Sequence, residues 1–135
     1  MLPLNKFGKS TGFFLKEAID EKRFESAGFM LAAKGAQDYA EKLGDFALEQ
    51  RKFEQAIQIY SHLGSYAKLA LANYLAAKDC LKKGGSTKLA ACKFYASIEA
   101  YNKLLKQDKA NTIFILQEII RVCENLTELF EEEED

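Results

Sequence analysis

The segment 37–60, QDYAEKLGDFALEQRKFEQAIQIY, constrains this chain more than any other stretch. Its apolar residues recur at intervals of three and four, the period of an α-helix and not of a strand. Arg51 and Lys52 interrupt the pattern at a turn, where cations suit the negative end of a helix dipole. Two helices joined by a tight turn follow. Gly44 falls inside the first of them, where glycine costs about 1 kcal/mol relative to alanine. Close approach of the two helices would offset that cost, with Gly44 opposite Ala56. Leu43, Phe53 and Tyr60 would then fill the space around the crossing.

Helical periodicity extends along the chain on both sides. A short helix is predicted from Gly12 to about Glu21, carrying Phe14, Leu15, Ala18 and Ile19 on one face, and a second over 22–34 with Phe24, Ala27, Met30 and Leu31. The third runs from about Ala36 to Gln50 through Tyr39, Ala40, Leu43, Ala47 and Leu48. The fourth, from Phe53 to Leu63, carries Ala56, Ile57 and Tyr60 inward, and Gly64 is placed to end it. Ser65 can cap a fifth helix running to about Lys83, through Leu69, Ala70, Tyr74, Ala77 and Leu81. Gly84-Gly85 is the strongest break, and Ser86 or Thr87 can cap a sixth helix to about Leu105, through Ala90, Phe94, Ser97, Ile98 and Tyr101. A seventh is predicted from about Ala110 to Phe130. The single proline, Pro3, precedes every helical pattern, and no segment alternates with a period of two. The fold class is all-α with about seven helices. A flexible lead-in (1–11), one helical domain (12–130) and a disordered acidic tail (131–135) complete the layout.

The helices repeat. KRFESAGFML (22–31) and RKFEQAIQIY (51–60) align without a gap, and TKLAACKF (87–94) echoes them, Ala90 answering Ala56 and Phe94 answering Tyr60. Repeated helical pairs at such spacing are the signature of an α-solenoid, in which each pair buries its face against its neighbours. Leu43-Gly44, Phe53, Ala56 and Tyr60 resemble the tetratricopeptide repeat in register. A second copy over 71–104 keeps Tyr74, Ala90 and Phe94 but has Lys78 where the small residue belongs, and 8–36 keeps only the second helix. Degenerate arrays of this kind are similar to those of vesicle-coat, attachment and ciliary-transport subunits, and the pattern occurs in small secretion chaperones. The resemblance implies fold and leaves function open.

Several chemistries are weakly supported. Lys and Arg number 19 against 20 Asp and Glu, so the chain lacks the basic excess that marks nucleic-acid binders. Gly8-Lys9-Ser10-Thr11 matches the end of a phosphate-binding loop, but Pro3 stands where the first glycine is needed and no strand precedes it. His62 is the sole histidine, expected solvated at the end of the fourth helix, and no Ser or Cys stands in a nucleophile context. Cys80, Cys92 and Cys123 lie on apolar stripes and are expected as buried free thiols, as in a reducing compartment. Asn125 and Thr127 form a glycosylation triplet inside a predicted helix and are discounted. The N-terminus lacks the apolar core of a signal peptide, and no apolar run is long enough to span a bilayer. The expectation is a cytoplasmic protein that is not an enzyme and uses no cofactor or metal.

Two surfaces are candidates for a partner. The resemblance implies that first helices line a concave face, which would present the acidic stripe Asp38, Glu41, Asp45 and Glu49 beside Leu48, with Lys9, Lys16 and Asp20 on one flank and Asp79, Lys82 and Lys83 on the other. Such a groove prefers a basic or mixed-charge peptide. The seventh helix carries two apolar stripes, one of Ile113, Leu116, Ile120, Cys123 and Phe130, the other of Ile115, Ile119, Val122, Leu126 and Leu129. A helix apolar over so much of its circumference is buried on two sides. It either folds back on the array or meets another chain, so Ile115, Ile119, Val122 and Leu126 are candidate contacts in a homo-oligomer. The functional expectation is an adaptor or scaffold. A chaperone holding an extended client, with Leu48 and Leu75 lining the groove, or a subunit of a larger coat-type assembly are the alternatives.

Overall fold

The computed structural model describes residues 37–134, and the regular structure among them is helical throughout. The two helices predicted over 12–34, the lead-in, and Lys9, Lys16 and Asp20 lie outside the described residues. The chain divides after Ser65 into two compact units.

In the first unit, α1 (Gln37–Glu49) and α2 (Phe53–Leu63) form an antiparallel pair. Residue 41 meets 65 while 45 meets 60, so one index falls as the other rises. Ala40, Ala47, Ala56, Ile59 and Tyr60 are buried. The close approach at Gly44 is real, but its partner differs from the one expected. A Cβ there would stand 2.7 Å from Tyr60 Cε1 and 3.1 Å from Cζ, so the glycine makes room for the tyrosine ring, with Ala56 not among the nearest atoms. Gly64 ends α2 in the left-handed region (φ 69°): its N–H donates to the Ser61 carbonyl and that of Ser65 to the Tyr60 carbonyl. Arg51 ends α1 by the same device at φ 62°, a conformation that strains any residue with a Cβ.

The second unit is an up-down-up bundle of α3 (Tyr66–Lys82), α4 (Thr87–Gln107) and α5 (Thr112–Glu134). Antiparallel α3 and α4 bring Ser97 to residue 70 and Phe94 to Tyr74, while parallel α3 and α5 bring Arg121 to Tyr74 and Asn125 to Lys78. Ser86 caps α4 by accepting the Leu89 N–H at 3.3 Å. Small residues, Ala70, Ala77, Ala90 and Ala91, allow α3 and α4 to close together around Phe94 and Tyr101. Lys78, which occupies the place of the expected small residue, lies exposed at the edge of α3, and the neighbouring Ala77 fills the buried position. Ser97 Oγ, fully buried, donates to the Ala70 carbonyl at 2.7 Å, so the polar group in the core is paired. The last helix does not end at Phe130. It continues through Glu134, so residues 131–134 are helical and not a disordered tail.

Candidate partner-binding surface

The acidic stripe of α1 begins and ends exposed, at Asp38 and Glu49. Its centre is turned to internal use. Asp45 Oδ1 accepts the Tyr60 hydroxyl at 2.5 Å, and Glu41 Oε1 accepts the Ser65 hydroxyl at 3.2 Å. The Tyr60 phenol is held protonated far above its ordinary range, first by burial, then by the hydrogen bond to Asp45 and by the charges of Asp45, Glu41 and Glu49. Leu48 is half-buried. The groove expected from this stripe is therefore reduced, because its two middle carboxylates already hold α1 to α2.

Asp79 of α3 pairs at 3.1 Å with Lys83, the residue just past the helix. Lys82 is exposed, and with Lys78, Leu81, Asn125, Glu128 and Leu129 it lines an open pocket of about 440 Å³ between α3 and α5. A polar brace stands next to it. Asn125 Nδ2 reaches the Tyr74 hydroxyl at 3.2 Å, and Lys78 Nζ reaches Asn125 Oδ1 at 3.4 Å. Arg121 lies over the Tyr74 ring at 5.0 Å and pairs with Glu118. The Tyr101 phenol is raised by burial and then by Glu118, with Arg121 acting in the opposite sense. These groups fix the rotation of α5 against α3.

That rotation decides between the two apolar stripes of the helix, and against the contacts expected from the sequence. Ile115, Val122 and Leu126 are buried in the bundle's own core, and Ile119 is packed against it. They cannot meet another chain without unfolding the unit. The other stripe is outside. Ile113 is 75% exposed, Ile120 56%, Leu116 45% and Phe130 42%, and Cys123 and Thr127 are exposed between them. Phe114, beside the head of the row, is 60% exposed. The row 113, 116, 120, 123, 127, 130 runs straight for about 26 Å at 1.5 Å per residue. Gln117, Glu124, Glu128 and Glu131 border it on one side, all exposed. The sequence showed both stripes. Only the packing against α4 and the brace to α3, between residues far apart in the chain, show which one is left uncovered.

The free thiols of Cys92 and Cys123 are likewise exposed, and that of Cys80 is half-buried, contrary to the expectation that all three are interior. His62 is exposed near the end of α2. Among the described residues, no three His, Cys, Asp or Glu side chains are placed to share a metal ion, and no helix is long and apolar enough to cross a membrane. No family model matches the chain, and neither a curated protein nor a solved structure does.

Proposed function

We propose that this chain is a non-catalytic protein-interaction module of tetratricopeptide-like helical pairs that engages a protein partner through the outer face of α5. One observation carries the reading: four large aliphatic or aromatic side chains, Ile113, Leu116, Ile120 and Phe130, stand exposed in a single row on a helix whose opposite face is core. Scattered exposed apolar residues need no explanation, but a contiguous row rimmed by charge marks an interaction surface. The pair α1–α2 supports the repeat resemblance through the seating of Tyr60 on Gly44. The acidic stripe is the lesser surface, since Glu41 and Asp45 are engaged within the pair. As an adaptor or scaffold of this kind the chain needs no cofactor and no nucleic acid.

A photoreactive side chain installed at position 120, compared with one at exposed Lys88 on α4, tests the assignment in cells. Polypeptide adducts specific to position 120 are expected. Equal or absent labelling at the two positions would remove the basis for an α5 surface.

A further inference from the structure

We propose that the occupant of this face is a second copy of the same chain, its α5 lying antiparallel along the first. The inference rests on the interaction-module reading and names the partner. The exposed row alternates steps of three and four, 113, 116, 120, 123, 127, 130, the spacing that a left-handed helix pair uses for its seam. Reversed upon itself, the row is complementary in size. Ile113 faces Phe130 of the second copy, Leu116 faces Thr127, and Ile120 faces Cys123, each rung appearing twice about a two-fold axis. No rung sets one charge against another.

Charge selects both the partner and the direction. The last turn of α5 carries glutamates at 131–134 and no basic residue, so negative charge accumulates where the helix dipole is itself negative. An antiparallel copy sets its helix N-terminus, the positive end of the dipole, beside that acidic turn and places the two acidic ends about 26 Å apart, beyond the screening length of roughly 8 Å at physiological salt. A parallel copy would set the two acidic turns side by side. The chain as a whole carries a net charge of only -1, which leaves copies free to approach. The seam is short, so the pair is a reversible one and not an obligate dimer.

Sedimentation equilibrium over a concentration series tests this on the whole chain. The expected result is a reversible shift from 15.2 kDa toward twice that mass. Ile120→Glu should raise the dissociation constant at least about 100-fold, with the helical circular dichroism unchanged because residue 120 is largely exposed. Orientation is read by disulfide trapping in a background with Cys80, Cys92 and Cys123 replaced by serine. A mixture of Ile113→Cys and Phe130→Cys chains should cross-link, and neither variant should cross-link alone. Self-linking of Ile113→Cys alone would overturn the antiparallel arrangement. A monomer at every concentration would overturn the second copy as occupant. If photoadducts of other mass still form at position 120 in that case, the interaction-module reading survives; if none form, both fall.

Discussion

Gly44→Ala sets two effects of known size against each other. Alanine in place of glycine within a helix stabilises by about 1 kcal/mol. Against this, the new Cβ would stand 2.7, 3.1 and 3.2 Å from three atoms of the Tyr60 ring, where carbon atoms prefer about 3.5–4.0 Å. The ring cannot swing aside. It is fully buried, its hydroxyl is tied to Asp45 at 2.5 Å, and its backbone carbonyl accepts the N–H of Ser65 in the closing turn of α2. Overpacking of this kind costs about 1–3 kcal/mol, so the steric effect outweighs the propensity gain, and a net loss of about 1 kcal/mol is expected. Urea unfolding would show it as a lowered midpoint with an unchanged slope. The decisive comparison repeats the substitution in a Tyr60→Leu background, where the obstructing ring is gone. There Gly44→Ala should stabilise by up to about 1 kcal/mol, a coupling of about 2 kcal/mol between the sites. The same effect in both backgrounds, or stabilisation of the parent protein, would refute the account of why position 44 is glycine.

Three further outcomes are expected. Ile115→Ala, inside the core, should lower stability by about 2–5 kcal/mol, while Ile113→Ala, two residues away, should change it by less than about 0.5 kcal/mol; denaturation of the two variants reports directly which stripe of α5 is core. The Tyr60 phenol is raised in the folded protein, so its contribution to stability is complete below about pH 10 and falls as pH rises further, by up to about 1.4 kcal/mol per pH unit, because the unfolded phenol ionises first. Tyr101 acts in the same direction, and Tyr60→Phe should remove about one proton from the alkaline slope of stability; an unchanged slope counts against the buried, protonated phenol. Arg51→Gly should raise stability by about 0.5–1 kcal/mol in thermal or urea unfolding by relieving the left-handed backbone at φ 62°, and a loss would mean the arginine side chain matters more than the strain.

The sequence by itself determined the local elements. Periodicity placed the helices over 37–49, 53–63 and 66–82 to within about a residue, because apolar spacing, Gly64 and the Gly84-Gly85 break are short-range signals that act within a few turns. It also located the inward face of α4 and one of the two buried faces of α3; the second, Ala72, Asn73 and Ala76, carries only small or polar side chains and so gave no apolar stripe to read. What it left open required residues distant in the chain. Gly44 announced a close approach, and Tyr60 was one of three side chains expected around it; that the tyrosine ring and not Ala56 lies over the glycine is decided by ring size and the hydrogen bond to Asp45. Residues 131–134 gave a signal of charge and not of helix termination, and without a proline or glycine stop the helix continued through them. The two stripes of α5 are equivalent on any one-dimensional count. Packing on α4, together with the contacts of Arg121 and Asn125 with Tyr74 and Lys78 on α3, turns one stripe into the core and leaves the other outside, because a helix has one rotation and a three-helix bundle covers only one side of it.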